Sequence, residues 1–188
     1  NLTQHSYFNL AAFSAESGGD ILNHKTQIFA DHINAVNEAQ IPVGDLMPVA
    51  GTPFDFRAPR LIGELINADH EQIKNGFGYD HNFIINQKSY KELTLAARVE
   101  EQTSGRVLEV FTQEPGVQFY SGNFLDGSLS GKGITYQKRS GFCLEPQHHP
   151  DSINQSQFPS IVLRPGDDYK TRTIFKLSVK WFLINTAI

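Results

Sequence analysis

The sequence has few of the residues that mark several common classes of protein. One cysteine, one methionine and one tryptophan occur among 188 residues. A single cysteine, Cys143, cannot form a disulfide within the chain. No apolar run approaches the ~20 residues that a membrane-spanning helix needs. We therefore expect no membrane association and a reducing compartment, the cytoplasm.

Charge of either sign is also sparse and scattered. The chain has 16 lysines and arginines against 20 aspartates and glutamates, a net charge of −4, with no acidic or basic block. Phosphate binding needs clustered lysine and arginine, so no nucleic-acid partner is expected. The start, "NLTQHSYFNL", lacks the basic and apolar regions of a signal peptide. It also lacks an initiating methionine, as is typical of a fragment or a processed chain.

The residues that are abundant in the sequence favour β-sheet structure. It has 14 phenylalanines and 6 tyrosines, and aromatic side chains suit strands. Apolar and polar residues alternate with a period of two over 91–123, which predicts a meander of three antiparallel strands, and again over 168–179. Residues 1–10 predict a half-buried strand. The fold class is therefore mainly β, a single antiparallel β-sandwich domain over 1–188.

Three other segments carry weaker patterns. Residues 60–75, "RLIGELINADHEQIKN", predict a short helix, with Pro59 just before its start. Residues 14–20 predict a turn or loop. Three prolines and two glycines in 41–57 predict an extended loop with short strands.

A carboxylate ends an apolar run in "GFCLEPQHHPDS", residues 141–152. Phe142 to Leu144 read as a short buried strand, and Glu145 follows. A carboxyl group beside apolar surface has a raised pKa, which suits proton transfer near neutral pH. The alternative is an exposed glutamate at a strand end, which is the commoner situation for an acidic residue.

A histidine near the chain start is the second candidate for proton transfer. His5 alternates with Tyr7 on the polar face of the predicted strand. Imidazole titrates near physiological pH and can donate or accept a proton. The alternative is a structural histidine with its hydrogen bonds satisfied.

Two further positions offer groups that bind sugar hydroxyls. In "GFGYDHNF", 76–83, Asp80 lies beside aromatic residues; carboxylates accept hydrogen bonds from hydroxyls and rings pack on C–H surface. The alternative is an ordinary turn. Gln118 points opposite its apolar neighbours, toward either a polar ligand or solvent.

A metal site near Glu145 is not expected. His148, His149 and Asp151 follow it, but their spacing matches no common zinc signature, and consecutive histidines on extended chain point apart. The sequence also lacks Gly-rich phosphate loops and nucleophile elbows. Acid, base, amide and aromatic groups together suit a neutral polyhydroxylated ligand, without naming a reaction.

Five ordered strings resemble the aldose 1-epimerase (galactose mutarotase) family over nearly the whole chain. They are "NLTQHSYFNL" (1–10), "GTPFDFR" (51–57), "GYDHNF" (78–83), "PGVQFYSGNFLDG" (115–127) and "GFCLEPQHHPDSIN" (141–154). The resemblance implies a galactose mutarotase-like supersandwich that interconverts the α and β anomers of aldohexoses without a cofactor or metal. By motif, His5 resembles the general acid and Glu145 the general base. Asp80 and Gln118 resemble sugar ligands, and we expect Tyr7 to join them.

Two departures from the family pattern matter. Family enzymes are longer at the N-terminus, where they carry an arginine and another histidine of the sugar pocket. The resemblance thus implies that this chain is a C-terminal portion, weakly active or inactive alone, which self-associates through exposed strand edges. Pro146 also stands where many relatives carry threonine, and it removes a backbone donor.

Two other functions remain open at the level of sequence. A glycoside hydrolase would use Glu145 and Asp80 as a carboxyl pair across the scissile bond. A carbohydrate-binding module would keep the sandwich without turnover.

Overall fold

Two five-stranded antiparallel sheets form the body of the computed structural model, which describes residues 2–12, 19–89 and 91–180. The elements are β1 (His24–Ile28), β2 (Ala30–Val36), β3 (Pro42–Pro48), β4 (Arg60–Leu61), α1 (Glu71–Asn75), β5 (Asp80–Ile85), β6 (Thr94–Glu101), β7 (Arg106–Thr112), β8 (Gly116–Tyr120), β9 (Ser130–Gly131), β10 (Ile134–Thr135), β11 (Cys143–Gln147) and β12 (Thr173–Val179). The first sheet has the order β12-β7-β6-β1-β4, and the second has the order β11-β8-β5-β2-β3.

One continuous core joins the two sheets. Its fully buried members from the first sheet include Ala97, Val99, Leu108 and Val110, and those from the second include Phe83, Val117, Phe119 and Leu144. Burying one such side chain stabilises the fold by about 1.5–3 kcal/mol. This shared core confirms the predicted antiparallel β-sandwich.

Aromatic rings fill the middle of the second sheet's inner face. Phe56 packs edge-on against Tyr79 and Phe119, with ring centroids 5.0 and 5.6 Å away. The hydroxyl of Tyr79 donates a hydrogen bond to the carbonyl of Pro53, so the buried polar atom is satisfied. These rings make the inner face largely apolar, and Asp80, Gln118 and Glu145 of the same sheet project from the other face.

The strand predictions for the second half of the chain are confirmed in part. β6 and β7 form the expected hairpin, and β12 lies within the predicted strand 168–179. β8 leaves this hairpin and pairs with β5 and β11 in the other sheet. The predicted three-strand meander over 91–123 is therefore wrong at its third strand, because the turn after β7 carries the chain across the sandwich.

The predicted helix over 60–75 is mostly wrong. Arg60 and Leu61 pair with β1 as β4, and Ile62 and Ile66 are buried in turns. Only α1 is helical, and its N-cap is His70, whose side chain accepts a hydrogen bond from the backbone N–H of Gln72. Pairing with a distant strand outweighs the local helical pattern.

The first residues lie beside β11 without forming the predicted strand. Backbone N–H to carbonyl hydrogen bonds of 2.8 and 2.9 Å link Phe8 and Phe142 in both directions. The side chains of Thr3 and Gln4 donate to the carbonyls of Pro146 and Leu144, at 2.8 and 2.6 Å. This bridge segment, residues 2–10, therefore follows the outer edge of the second sheet.

Two other predictions have mixed outcomes. Most of the loop predicted at 14–20 lies outside the described residues. The region 41–57 contains a seven-residue strand, β3, followed by turns. Among the described residues, no helix is long and apolar enough to cross a membrane.

Candidate active site

Three neighbouring strands of the second sheet build the site. In the pairing of β11 with β8, Glu145 lies opposite Gln118 and Cys143 opposite Tyr120; in the pairing of β8 with β5, Tyr120 lies opposite Asp80. Directly opposed residues in antiparallel strands project from the same face. The register thus collects residues distant in the sequence on one polar face.

His5 and Glu145 meet at the edge of this face. The imidazole Nε2 lies 3.4 Å from the Glu145 carboxylate Oε1. The bridge segment brings His5 there because it runs alongside β11. His5 is exposed, whereas only 9% of the Glu145 side chain is accessible. The predicted acid and base therefore lie together, one open to solvent and one largely enclosed.

Cys143 contacts the other nitrogen of His5. Its sulfur lies 3.4 Å from Nδ1, and Cys143 is fully buried. Burial raises the pKa of the Cys143 thiol, so the sulfur keeps its proton. The opposite ring nitrogen, Nε2, faces Glu145. Sequence patterns did not indicate this contact, since Cys143 belongs to an apolar run.

The surroundings of Glu145 favour its neutral form. Burial is the largest cause and raises the pKa of the carboxyl group to about 6 from its ordinary 4.5. The charge of Asp80 raises the pKa further, and His5 opposes both effects. A carboxyl group with this pKa can exchange a proton near neutral pH.

Two amides hold Asp80. The side-chain nitrogen of Gln118 donates to Oδ1 at 2.8 Å, and that of Gln40 donates to Oδ2 at 3.3 Å. Burial nevertheless raises the pKa of Asp80. The Oε1 atom of Gln118 is buried and has no hydrogen-bond partner within the described chain. It is an acceptor for a ligand hydroxyl or a water.

Tyrosines line the open side of His5. The ring centroids of Tyr7 and Tyr120 lie 5.2 and 6.1 Å from the His5 ring. Burial raises the pKa of Tyr7 to about 12 and also raises that of Tyr120, so both keep their hydroxyl protons as donors. The Tyr120 hydroxyl accepts a hydrogen bond from the backbone N–H of Phe124.

A small polar cavity of about 110 Å³ adjoins Asp80 and Gln118. Its lining also includes Asn34, Gln40 and Asn82, which sequence reasoning missed. The amide nitrogen of Asn82 donates to Asn34 Oδ1 at 2.7 Å. No sequence signal linked these residues, because β2, β5 and β8 meet only through long-range pairing.

Three other histidines, on β5 and just after β11, have partners other than His5 and Glu145. His81 belongs to the buried core-facing side of β5, where its ring lies 4.5 Å from that of Phe54. His148 binds Glu114, with 2.6 Å between Nδ1 and Oε2, and His149 contacts Asn82. The consecutive histidines thus have different partners, as expected from extended chain.

A cleft of larger volume lies apart from His5 and Glu145. It has a volume of about 840 Å³ and is lined by residues between Gly51 and Leu65. Arg57 in this cleft is already paired with Asp55, with 2.8 Å between Nη2 and Oδ2. The cleft shares no lining residue with the smaller cavity beside Asp80.

Comparison with known proteins identifies the family. The family model for aldose 1-epimerase matches residues 1–176. The chain belongs to the aldose 1-epimerase family. This confirms the resemblance carried by the five sequence strings.

Curated relatives of this aldose 1-epimerase family member are enzymes of about twice its length. Galactose mutarotase from Rattus norvegicus is 51% identical over 180 residues, covering 95% of this chain and 50% of the relative. Aldose 1-epimerase from Escherichia coli K12 is 40% identical over 178 residues, covering 94% and 50%. The chain spans about half the length of the curated relatives it matches.

Solved structures of the family share its fold. The GalM/aldose epimerase homologue from C. elegans has a TM-score of 0.79 at 29% identity, covering 94% of this chain and 50% of that one. Galactose 1-epimerase from Lactobacillus acidophilus has a TM-score of 0.75 at 31% identity, covering 94% and 48%. These similarities agree with the predicted mutarotase-like sandwich.

Proposed function

We propose that this site interconverts the α and β anomers of aldohexoses such as galactose and glucose. The observation that carries the proposal is the 3.4 Å between the His5 imidazole and the Glu145 carboxylate. The two oxygens that exchange protons during ring opening are both bonded to C1 of the sugar. An acid and a base that are neighbours can therefore reach both oxygens at once.

In the proposed ring opening, Glu145 as the carboxylate accepts the proton of the C1 hydroxyl, and the His5 imidazolium donates its Nε2 proton to the ring oxygen and becomes the neutral imidazole. The bond between C1 and the ring oxygen breaks, and its electron pair stays on that oxygen. C1 becomes an aldehyde carbon. Positioned acid and base groups of this kind each contribute about 10²–10⁴-fold to a rate.

Ring closure reverses the proton roles. Rotation about the C1–C2 bond presents the other face of the aldehyde to the C5 hydroxyl. His5 then takes the proton of that hydroxyl and Glu145 returns one to the carbonyl oxygen, which yields the other anomer. Atoms and electrons balance within the sugar and two side chains, so the proposed reaction uses no cofactor.

The polar groups beside the pair would hold the sugar. Asp80 is an acceptor for hydroxyls, and burial of its carboxyl group leaves few competing waters. Gln118 fixes Asp80 and offers the unpaired Oε1. Tyr7 lies next to His5 and supplies apolar ring surface for the C–H groups of a pyranose.

We place the protein in the cytoplasm and expect self-association but no nucleic-acid partner. The free thiol of Cys143 suits a reducing compartment. β12 is an outer strand of the first sheet, with Leu177 and Val179 exposed. Outer strands with apolar exposure tend to pair with other chains.

Polarimetry of freshly dissolved α-D-galactose tests the function. We expect the 188-residue chain to speed mutarotation above the spontaneous rate, but less than rat galactose mutarotase, since it spans half that enzyme's length. Glu145→Gln and His5→Gln are expected to lower the rate increment by about 10²–10⁴-fold each. Because the base must be ionised, the rate should fall as pH drops below about 6.

Glu92→Gln is the matched control, because Glu92 is an exposed carboxylate that does not belong to the site. Unchanged circular dichroism would show that the variants fold. A full rate in Glu145→Gln would contradict the proposal. Galactose binding without turnover, equal in wild type and Glu145→Gln, would instead assign a carbohydrate-binding module. Release of reducing sugar from a glycoside would point to a hydrolase.

A further inference from the structure

The acid and base of the proposed site, together with Cys143, form a three-ligand cluster. One ligand atom from each of His5, Cys143 and Glu145 lies within 4.8 Å of the other two. Within the described part of the chain this is the one such group of three histidine, cysteine or acidic side chains. Its members supply one nitrogen, one sulfur and one oxygen.

We propose that this cluster binds a borderline-soft divalent cation, Zn²⁺, which reversibly blocks the site. The inhibitory part of this inference rests on the proposed function, whereas the binding part does not. The ion acts here as an inhibitor, and the epimerase chemistry proceeds without it.

The separation of the first two ligands matches the geometry of zinc. Zinc binds sulfur at about 2.3 Å and imidazole nitrogen at about 2.0–2.1 Å, so a tetrahedral angle puts the two ligand atoms about 3.5 Å apart. Cys143 Sγ and His5 Nδ1 are 3.4 Å apart. The ion can therefore bind between these two atoms with little movement of either side chain.

The Glu145 carboxylate is the third ligand, and zinc sites commonly combine cysteine, histidine and carboxylate ligands. Glu145 Oε1 lies 3.4 Å from Nε2, the other imidazole nitrogen. Because one ligand atom of each residue lies within 4.8 Å of the other two, rotation of the Glu145 side chain brings its carboxylate to the ion. Three protein ligands leave a fourth position for water. Sulfur and imidazole favour zinc over magnesium or calcium, which prefer oxygen ligands.

Binding displaces the thiol proton and occupies the proposed catalytic base. The thiol of Cys143 loses its proton to solvent when the sulfur coordinates the ion. The Nδ1 lone pair of His5 and a lone pair of Glu145 are then occupied. Glu145 can no longer accept the proton of the C1 hydroxyl, so zinc and sugar compete.

The chain offers a clean optical test because Cys143 is its sole cysteine. Titrating Co²⁺ into tag-free protein is expected to produce a thiolate-to-cobalt charge-transfer band in the near ultraviolet, saturating at one ion per chain. Zn²⁺ is expected to displace the cobalt and abolish the band. Any such band must come from the Cys143 sulfur.

Substitutions of the three ligands distinguish cobalt binding at the cluster from adventitious cobalt binding elsewhere on the protein. Cys143→Ser is expected to lose the band, and His5→Gln and Glu145→Gln to weaken cobalt binding at least about tenfold. Glu92→Gln, which changes an exposed carboxylate, should behave as wild type. Circular dichroism confirms folding of each variant. No band in the wild type, or a band unaffected by both ligand variants, would overturn the proposal.

Activity is read separately. Where the wild type catalyses mutarotation, zinc is expected to inhibit the reaction and a chelator to restore it. Whatever activity Cys143→Ser has should be less sensitive to zinc than that of the wild type. Mutarotation that zinc leaves unchanged at saturating occupancy would refute the inhibitory part alone. A cobalt band from a chain without mutarotase activity would support the metal site while rejecting the proposed function.

Discussion

At the scale of single residues, Glu145 combines a cost to stability with a capacity for proton transfer. Its carboxyl group is largely enclosed and lies near a second carboxyl, that of Asp80, so the folded protein binds its proton more tightly than the unfolded chain does. A group arranged in this way stabilises the fold while protonated and loses that contribution as it ionises.

Glu145→Gln should therefore stabilise the protein at neutral pH. The carboxyl pKa rises from 4.5 to about 6, so wild-type stability falls as pH increases through that window, by up to about 2 kcal/mol. We expect the variant to exceed the wild type in free energy of unfolding by roughly that amount above pH 7. The difference should vanish near pH 4, where both side chains are neutral.

Urea denaturation at pH 4, 5, 6 and 7.5 measures this difference. A gap that stays constant across the series would show that the substitution acts through packing rather than through the charge. A wild type more stable than the variant at pH 7.5 would show that ionised Glu145 gains more from His5 than it loses by burial.

Sequence reasoning predicted the two proposed reacting groups but missed what surrounds them. His5 and Glu145 lie in strings with unusual polar residues beside apolar ones, and those strings match a family. Cys143 was assigned to the apolar run because nothing local marks its sulfur as a partner of His5, 138 positions away. Asn34 and Asn82 are likewise brought together only by strand pairing.

At the scale of elements, a close backbone contact between the end of β8 and the start of β11 holds together two strands that carry site residues. Gly122, just after β8, has φ +67° and lies directly against the backbone carbonyl of Gly141, just before β11. A side chain at this position would meet that carbonyl, and the positive φ would strain it further. Because Gly122 has no side chain, the end of β8 can lie directly against the start of β11.

Gly122→Ala should destabilise the protein by about 2–4 kcal/mol, from backbone strain and overpacking together. Gly133→Ala is the matched control: Gly133 has φ +78° but open space around its Cβ position, so we expect about 1–2 kcal/mol from strain alone. Thermal unfolding followed by circular dichroism measures both. Equal losses would show that the close approach to Gly141 does not matter.

Elements with strong local patterns were predictable, and those that depend on distant partners were not. The alternation in β6 and β7 predicted a hairpin, which the structure confirms. The apolar spacing in 60–75 favoured a helix, yet β4 forms there because β1 offers an unpaired edge. The position of β8 in the other sheet also depends on pairing partners that periodicity cannot reveal.

At the scale of the whole molecule, the outer strand of the first sheet is exposed and apolar. Within the described residues, β12 pairs on one side only, with β7. Leu177 is 67% exposed and Val179 51%. Such an edge is a template for a further strand, supplied by another chain when nothing else covers it.

We expect concentration-dependent self-association that Leu177→Lys weakens. A lysine on an outer strand discourages pairing, because the neighbouring chain would have to cover its charge. Ile153→Lys is the control, since Ile153 is 64% exposed but lies in a turn. Sedimentation velocity at several protein concentrations measures both. A wild type that stays monomeric throughout would contradict the expectation.

The attachment of the bridge segment bears on how the molecule responds to heat. Its backbone is tied to β11 at the Phe8–Phe142 pair, while Glu145 sits within a regular ladder of strands. Segments with few such bonds open at lower free-energy cost than the strands they border. Warming would then release His5, the proposed proton donor, while Glu145, the proposed base, stays in place, so the proposed activity would be lost at temperatures where the sheets are still intact.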